Sequence, residues 1–434
     1  MVDATIKKTT VLKGEVAAPP SKSYTQRMLI ASALSEGTSE ITSPLISEDT
    51  KATIHAVTAL GAKVEENKNC WIVKGAKTLT ASTEPIDCGD SGATLRFMIP
   101  VAALALGYSS FLLGKSLEQR PIQPLLHSLF QLGTQGQVRK NHCRNTIQIQ
   151  GGGIAGGRTV ISGNISSQFI SGLMFACPKA RKMTEILTAT PLESKTYVQM
   201  TETTLVQHQI NVTIEPDFRK ITIPANQTYQ PYNHQVPGDY SSAAFLLSAA
   251  TVTNSSISIK NLDASMVQGD RAIINVLQQM GANTIMSSNQ VMTQKYEIPL
   301  KAFTIDAQDT PDIVPICTVL ACFAEGTSQI HNAHRLRFKE SDRLQSLYLE
   351  LKKMGASMEI TEDSLTIKGP AALHGALIDP HNDHRIAMAT AVAALGAEGE
   401  TVIKNSECVK KSYPEFFEDL RSLGVDIIGG KFNR

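Results

Sequence analysis

Paired cysteines are absent from this sequence of 434 residues. Its cysteines are odd in number and scattered, and no two of them are spaced as CxxC. This pattern argues against a disulfide framework and against a zinc site built on cysteine pairs. We therefore expect free thiols, no bound metal and a reducing, cytoplasmic compartment. The cysteines are Cys70, Cys88, Cys143, Cys177, Cys317, Cys322 and Cys408.

The sequence also lacks an excess of charge, because 41 basic residues face 40 acidic ones. Aromatic residues make up only 5% of the chain and include a single tryptophan. A nucleic-acid-binding protein needs a positive field and stacking platforms, and neither is present. The longest apolar run, near residues 97 to 106, is too short to span a bilayer. We expect a monomer that binds small molecules, with any anion site confined to a local cluster.

What the sequence does contain is an internal repeat. Five glycines each follow a helix pattern and precede an alternating strand, at intervals of 72, 148, 74 and 69 residues: Gly61, Gly133, Gly281, Gly355 and Gly424. The double interval predicts a sixth copy in LVQHQINVTIE, with Gln209 in the place of the glycine. Glycine here indicates a left-handed residue that ends a helix. Six units predict two domains of three, with a break in the polar segment 226–239.

Helix-capping residues recur in phase with this repeat. The first helix of each unit follows SKS (21–23), DSG (90–92), SSQ (166–168), DYS (239–241), TPD (310–312) or DHR (383–385). The second follows SED (47–49), EQRP (118–121), ESKTY (193–197), QGDR (268–271), KESDR (339–343) or KKSYP (410–414). Ser, Thr and Asp suit helix N-termini, but the basic residues beside them oppose the helix macrodipole. Bound phosphate and carboxylate groups would reconcile these cations, which are Lys22, Arg27, Arg120, Lys195, Lys339, Arg343, Arg385 and Lys411.

Eleven segments, taken in order, resemble the motifs of the 5-enolpyruvylshikimate-3-phosphate synthase (3-phosphoshikimate 1-carboxyvinyltransferase) family of enolpyruvyl transferases. The resemblance extends from residue 19 to residue 417. The segments are PPSKSYTQR, GDSGATLR, EQRPI, ISSQFISGL, SKTYV, PGDYSSAAF, QGDR, TPD, RFKESDR, NDHRIAMA and KKSYPEFF. No single motif would be specific, but eleven in order leave little room for chance.

The resemblance implies an α/β fold, namely a two-domain inside-out α/β barrel with six βαβαββ repeats, three per domain. One domain would span residues 20–235, mainly on the shikimate 3-phosphate side, and the other residues 1–19 plus 236–434, with the active site in the interdomain cleft. The implied reaction transfers the enolpyruvyl group of phosphoenolpyruvate to the 5-hydroxyl of shikimate 3-phosphate, in the shikimate pathway of aromatic amino acid biosynthesis. It implies no cofactor. The family is the target of the herbicide glyphosate.

Matched residue by residue, the resemblance implies two sets of substrate-binding residues. The set for shikimate 3-phosphate is Lys22, Ser23, Arg27, Ser166, Ser167, Gln168, Ser194, Tyr197, Asp312 and Lys339. The set for phosphoenolpyruvate is Lys22, Gly92, Arg120, Gln168, Arg343, Arg385 and Lys411. Each substrate has a phosphate and a carboxylate, and guanidinium groups bind both in bidentate geometry.

The catalytic residues implied by the resemblance are Asp312, Glu340 and Lys22. Asp312 would act on the substrate hydroxyl and Glu340 on the enol carbon, since two carboxylates in distinct environments can divide proton transfer between them. Asp312 could instead only cap a helix, with Asp309 as the competing base. Basic neighbours of Glu340 favour its ionised form in the empty site.

Several positions depart from the family pattern, and two of them carry a charge. Asp90 stands where members usually have asparagine, and it could either pair with Arg96 or accept hydrogen bonds from backbone N–H groups. Arg335 stands where many members have asparagine, and it could be a surface charge or part of the anion-binding field.

Two other functions remain open. The sister transferase that acts on UDP-N-acetylglucosamine usually has a cysteine shortly before an Arg-Pro pair, and the segment GKSLEQRP has none. A non-catalytic anion-binding homologue would keep the fold, and Asp90 is the best support for it. Retention of Asp312, Glu340 and the full set of cations argues against this second alternative, and a turnover measurement separates an enzyme from a non-catalytic homologue.

Overall fold

The structure is a computed structural model that describes residues 2–140 and 144–432, so Cys143 lies outside the described residues. The chain divides into an N-terminal unit, Pro20–Val236, and a C-terminal unit, Met1–Pro19 with Pro237–Arg434. The six cysteines among the described residues are free thiols. None of the described helices combines the length and the apolar character needed to cross a membrane.

Each unit contains six α-helices within the described residues. Those of the N-terminal unit are α1 (Lys22–Ala33), α2 (Glu48–Ala59), α3 (Gly92–Ala102), α4 (Gln123–Gln131), α5 (Ser167–Ala176) and α6 (Lys195–Gln207). Those of the C-terminal unit are α7 (Tyr240–Val252), α8 (Ala272–Gln279), α9 (Val314–Cys322), α10 (Arg343–Lys353), α11 (His384–Gly396) and α12 (Phe416–Ser422). Short 3₁₀ helices span Cys177–Lys179, Gly269–Arg271, His334–Phe338 and Ser406–Lys411.

The strands are short, with two to six residues each. In chain order the first fourteen are β1 (Ala4–Lys7), β2 (Lys13–Ala17), β3 (Thr38–Thr42), β4 (Lys63–Asn67), β5 (Cys70–Lys74), β6 (Ile86–Asp87), β7 (Tyr108–Leu112), β8 (Gly136–Arg139), β9 (Thr146–Gln150), β10 (Gly157–Ile161), β11 (Thr184–Thr188), β12 (Thr213–Ile214), β13 (Lys220–Ile223) and β14 (His234–Gln235). The remainder are β15 (Ser256–Lys260), β16 (Asn283–Met286), β17 (Gln290–Gln294), β18 (Thr304–Asp306), β19 (Gly326–His331), β20 (Ser357–Ile360), β21 (Leu365–Gly369), β22 (Leu377–Ile378), β23 (Glu400–Ile403) and β24 (Ile427–Gly429).

The described strands form six four-stranded sheets that share one pattern. The sheets of the N-terminal unit have the orders β14-β3-β5-β4, β6-β7-β9-β8 and β10-β11-β13-β12, and those of the C-terminal unit β2-β15-β17-β16, β18-β19-β21-β20 and β22-β23-β1-β24. In each sheet the first pair is parallel and the other two pairs are antiparallel. The six repeats predicted from the glycine spacing are confirmed. Within the described chain no sheet closes on itself, so the implied barrel is not a closed hydrogen-bonded one.

Three strands pair with strands of a repeat other than the one that they precede or follow in the sequence. β2 precedes α1 in the sequence but pairs in parallel with β15 of the C-terminal unit. β14 precedes α7 but pairs in parallel with β3 of the N-terminal unit. β1 lies between β23 and β24 and is antiparallel to both. These pairings explain why the first 19 residues belong to the C-terminal unit.

The helix-ending residue of each repeat has the conformation predicted for it. The five repeat glycines have φ between +84° and +108°. Gln209, the predicted substitute in the third repeat, has φ of +60°. Positive φ is readily adopted by glycine and costs more for other residues, which explains why glycine fills five of the six positions.

The first helix of each repeat is buried nearly all round, and these helices are α1, α3, α5, α7, α9 and α11. The second helices bury only about one face. Close contact between α3 and α5 depends on Gly172, where an added Cβ would lie 2.3 Å from the carbonyl oxygen of Arg96. A helix enclosed in this way has a rigidly held N-terminus, and most motifs named above lie at these N-termini.

Candidate active site

In the N-terminal unit, the starts of α1, α3 and α5 lie close together. Gln26 of α1 donates through Nε2 to Ser91 Oγ at 3.3 Å and to Thr94 Oγ1 at 3.1 Å. Arg96 of α3 donates through Nη1 to Gln168 Oε1 at 2.7 Å, at the start of α5. Three motifs that are about 70 residues apart in the sequence therefore meet at one end of this unit.

Serine residues cap all three of these helices. Ser21, Ser91 and Ser166 each accept a hydrogen bond through Oγ from a backbone N–H in the first turn. Capping is thus a real role of these motifs, as expected. A serine that accepts through its oxygen still has its O–H as a donor, so capping leaves Ser166 able to bind an anion.

Lys22 and Arg27 both lie on α1. The Nζ of Lys22 lies 2.8 Å from Asp49 Oδ2, a carboxylate that the sequence analysis did not assign to the site. Arg27 is buried, and it donates to Thr201 Oγ1 at 2.9 Å and to the carbonyl oxygen of Tyr197 at 3.0 Å. Burial lowers the pKa of Arg27 to about 10. Its third donation, to the carbonyl oxygen of Ser23, lies within α1.

Arg120 lies against the first residue of α3. A Cβ added to Gly92 would lie 2.7 Å from Arg120 Nη1. Arg120 is nearly buried, and its Nη2 donates to Ser116 Oγ at 3.3 Å. In this structure a guanidinium group therefore occupies the space beside Gly92.

The remaining predicted residues of this unit lie at the starts of α5 and α6. Ser167 is the first residue of α5 and is buried. Ser194 immediately precedes α6 in a left-handed conformation, with φ of +56°. Tyr197 lies one turn further along, with its ring 5.8 Å from the Arg27 guanidinium.

In the C-terminal unit, Asp312 is surrounded by cations. Its Oδ1 lies 2.9 Å from Arg343 Nη1 and 3.4 Å from Lys339 Nζ, and its Oδ2 lies 3.2 Å from Arg385 Nη2. Burial alone would raise the pKa of Asp312, but these three charges outweigh it and hold the pKa well below its usual range. Burial lowers the pKa of Lys339 to about 8, although Asp312 opposes that shift. Asp312 does not cap α9, because the residue at the cap is Ile313 and makes no side-chain capping bond.

Arg343 joins three carboxylates. Besides Asp312, its Nη2 lies 2.6 Å from Glu340 Oε2 and its Nε lies 2.9 Å from Asp383 Oδ2. Burial alone would lower the pKa of Arg343, but these carboxylates raise it instead. The sequence indicates only a capping role for Asp383, and Asp383 does cap α11 by accepting from Arg385 N–H at 2.9 Å.

Lys411 is buried, and its Nζ donates to the carbonyl oxygen of Asn382 at 2.9 Å. Arg385 donates through Nη1 to the carbonyl oxygen of Asp312 at 2.8 Å. Lys339, Arg343 and Arg385 thus surround Asp312, and Arg343 also contacts Glu340. Asp309, the competing base, precedes Asp312 by three residues and is half-buried in a bend of the chain.

The two charged departures from the family pattern, Asp90 and Arg335, occupy different environments. Asp90 Oδ1 accepts from the backbone N–H of Ser116 at 3.3 Å, which agrees with the prediction that Asp90 bonds to backbone N–H groups. Arg335 is buried within a 3₁₀ helix, so the surface alternative for this residue is wrong. In the described part of the chain, no group of His, Cys, Asp and Glu residues is arranged to hold a metal ion.

The arrangement defines what each unit can do chemically. The N-terminal unit offers hydroxyl, amide and basic groups at helix N-termini, which suits phosphate and carboxylate ligands. The C-terminal unit offers an ionised carboxylate and a second carboxylate held 2.6 Å from the same guanidinium. Such a pair can accept and deliver protons at two different atoms.

The model of the EPSP synthase (3-phosphoshikimate 1-carboxyvinyltransferase) family matches residues 6–420. Two relatives are named 3-phosphoshikimate 1-carboxyvinyltransferase. The one from Methanocaldococcus jannaschii is 41% identical over 425 residues, covering 97% of this chain and 98% of that protein. The one from Methanosarcina mazei is 43% identical over 428 residues, covering 98% of each.

Solved structures agree with these relatives. The EPSP synthase from Acinetobacter baumannii superposes with a TM-score of 0.82 at 27% identity, covering 99% of this chain and 100% of that chain. The enolpyruvyl transferase NikO from Streptomyces tendae gives a TM-score of 0.81 at 16% identity, covering 99% and 98%. The second likeness concerns the fold alone, and together they confirm the fold expected from the motifs.

Proposed function

Because this chain belongs to the EPSP synthase (3-phosphoshikimate 1-carboxyvinyltransferase) family, we propose that it transfers the enolpyruvyl group of phosphoenolpyruvate to the 5-hydroxyl of shikimate 3-phosphate. Inorganic phosphate is the second product. The observation that carries the proposal is the placement of Asp312 and Glu340 on one buried guanidinium, that of Arg343. The reaction requires two proton transfers at different atoms, and this pair supplies two carboxylates that contact the same guanidinium.

The proposed reaction is an addition followed by an elimination. A proton is added to the methylene carbon of phosphoenolpyruvate, and the 5-hydroxyl oxygen bonds to the adjacent carbon while losing its own proton. The carbon–oxygen bond to phosphate then breaks, phosphate leaves with the electron pair, and the new methyl group gives up a proton. The product retains the carbon–carbon double bond and is joined to the sugar acid through oxygen.

Asp312 suits the hydroxyl. The surrounding cations keep its carboxylate ionised, and an ionised carboxylate can accept the hydroxyl proton. Glu340 suits the carbon, where the proton must first arrive and later leave. Its contact with Arg343 favours the ionised form, so delivery of a proton from Glu340 depends on substrate anions that offset the Arg343 charge. Lys22 completes the proposed catalytic set.

Substrate binding is proposed for both sets of residues predicted from the motifs. Anions at the starts of α1, α3 and α5 would be stabilised by the helix N-termini and by the adjacent cations. Arg343 already bonds to three carboxylates. It can bind phosphoenolpyruvate only through an N–H bond that these carboxylates do not already use. Asp383 supports this role because it keeps the guanidinium oriented.

The experiment that tests the proposal mixes the purified protein with shikimate 3-phosphate and phosphoenolpyruvate in the presence of a chelator. Phosphate release and the enolpyruvyl product are followed together. We expect both to appear in equal amounts, and Asp312→Asn to abolish both. Phosphate released without the enolpyruvyl product would contradict the transfer reaction.

The same assay separates the alternatives. Turnover with UDP-N-acetylglucosamine in place of shikimate 3-phosphate would assign the sister activity. Binding of phosphoenolpyruvate without any product would assign an anion-binding homologue. The monomeric state and the cytoplasmic compartment stay predictions from the sequence.

A further inference from the structure

A short loop of the C-terminal unit, residues 379–383, contacts three of the basic residues proposed to bind phosphoenolpyruvate. It connects β22 to α11. The carbonyl oxygen of Asn382 accepts from Lys411 Nζ at 2.9 Å. Asp383 accepts from Arg343 Nε at 2.9 Å and from the backbone N–H of Arg385 at 2.9 Å. The loop therefore contacts the Lys411 ammonium group directly and contributes to its orientation.

The loop has an unfavourable backbone conformation. His381 has φ of +53° and Asn382 has φ of +54°. Two consecutive left-handed residues without a glycine are uncommon and persist only where the surroundings hold them. The contacts that hold this loop therefore also affect the basic residues that the loop contacts.

Glu350 of α10 supplies those contacts. Its side chain is almost fully buried, at 1% exposure. Its Oε1 lies 3.0 Å from His381 Nε2, and its Oε2 accepts from the backbone N–H of Asp379 at 3.0 Å. The carboxylate thus binds the loop at two points. Lys353, on the same helix as Glu350, also donates to it at 2.7 Å and 2.9 Å but lies outside the loop.

We propose that Glu350 and His381 are positioning residues that hold the 379–383 loop so that Lys411 is aligned to bind phosphoenolpyruvate. The inference rests on the proposed function and deepens it. Neither residue belongs to the predicted substrate-binding sets. Glu350 acts through His381 and Asp379, and the loop acts on Lys411 through the Asn382 carbonyl. When the Glu350 contact is lost, the loop is free to relax toward a less strained conformation, and the carbonyl moves away from Lys411.

The test compares His381→Ala with His381→Gln and Lys353→Ala in steady-state assays of the full-length protein. The His381 side chain is one-third exposed, so its truncation leaves no buried cavity. We expect His381→Ala to raise KM for phosphoenolpyruvate roughly three- to tenfold, the effect of one lost hydrogen bond, with KM for shikimate 3-phosphate unchanged. His381→Gln retains a donor to the carboxylate and should restore much of the loss. Lys353→Ala removes another partner of Glu350 without touching the loop and should behave as the wild type.

The outcomes separate the inference from the function on which it rests. Absence of wild-type turnover would refute the proposed function and, with it, the role given to Lys411. Wild-type turnover with an unchanged KM for phosphoenolpyruvate in His381→Ala would refute the inference alone. An equal rise of both KM values, or the same rise in Lys353→Ala, would show a general loss of structure and would also overturn it.

Discussion

The guanidinium of Arg96 donates from Nη1 to Oε1 of Gln168 across 2.7 Å. Its Nη2 donates to the carbonyl oxygen of Pro121, next to Arg120, at 3.3 Å, and its Cζ lies 5.3 Å from the centroid of the Phe169 ring. Because a guanidinium can only donate, the amide oxygen of Gln168 must face Arg96. The NH₂ group of Gln168 is then the part left to meet a ligand, and it can only donate, as an anionic ligand requires.

This geometry predicts that Arg96→Lys impairs binding of both substrates. Lysine keeps the charge but lacks the planar fork that reaches Gln168 and Pro121 together. We expect kcat/KM for each substrate to fall roughly tenfold, the effect of one charge-assisted hydrogen bond. Steady-state kinetics with each substrate varied in turn measures the loss. Arg158→Lys is the control, because Arg158 is an exposed arginine of the same unit that pairs with Glu185 on the surface. An Arg96→Lys enzyme with wild-type kinetics would refute the orienting role.

The repeat and its helix starts could be predicted from the sequence because they depend on local chemistry. A left-handed residue such as Gln209 and a capping residue such as Ser91 leave their mark within a few positions of the chain. The same local pattern then recurs in six repeats, which makes it easier to recognise. The strand order within the sheets was not predicted, because pairings such as β2 with β15 and β14 with β3 join strands that are far apart in the sequence.

The partners of the site cations could not be predicted, because they depend on tertiary contacts. Asp383 reads as a cap in the sequence and is one, yet it also pairs with Arg343, 40 residues away. Asp49 likewise lies in a capping motif and pairs with Lys22. The sequence does show that carboxylates and cations occur in the same motifs. Spacing along the chain does not determine which of these charges form ion pairs.

Glu340→Gln tests the division of labour between the two carboxylates. Glutamine can still accept from Arg343 through its amide oxygen, so the fold and the binding of shikimate 3-phosphate should be retained. It cannot exchange a proton with carbon, and we expect kcat to fall on the order of a hundredfold or more. Product formation and calorimetric binding of shikimate 3-phosphate are the two measurements. Glu359→Gln, an exposed position on β20, serves as the control. Normal turnover in Glu340→Gln would remove Glu340 from the mechanism.

Gly92→Ala and Gly172→Ala should affect different properties of the protein, although both add a single methyl group. At Gly92 the methyl would meet Arg120 Nη1 at 2.7 Å, the far end of a flexible side chain that can move aside. At Gly172 it would meet the Arg96 carbonyl oxygen at 2.3 Å, and this backbone atom lies inside a packed helix pair.

We therefore expect Gly92→Ala to fold normally and to raise KM for phosphoenolpyruvate roughly tenfold or more, because displaced binding groups lose much of their effect. Gly172→Ala should lower the free energy of unfolding by about 2 kcal/mol or more through overpacking. Thermal melts and steady-state kinetics of both variants distinguish the two effects. A destabilised Gly92→Ala protein with unchanged kinetics would contradict the placement of Arg120.

His208 and His234 form a buried pair in the N-terminal unit. The Nδ1 of His208 donates to the Gln230 carbonyl oxygen at 2.6 Å, so its Nε2 must accept from Nε2 of His234, at 2.9 Å. Burial lowers the pKa of His208 to about 4, and burial together with His208 lowers the pKa of His234 to about 3. Each ring is therefore neutral in the folded protein at pH values where the unfolded chain already binds a proton.

This pair predicts acid-sensitive stability. The unfolded histidines take up protons below about pH 6.5, while folded His208 and His234 do not until about pH 4 and about pH 3. The stability that they contribute is therefore complete above this window and falls as the pH drops through it. Between pH 7 and pH 5 we expect each histidine to reduce the free energy of unfolding by roughly 2 kcal/mol. Denaturant titrations at the two pH values measure the loss. The double variant His208→Gln with His234→Gln should be less stable at pH 7 but should show a smaller loss on acidification. His127→Gln, at an exposed histidine of the same unit, should keep the full loss, and an equal pH dependence in the double variant would show that other groups are responsible.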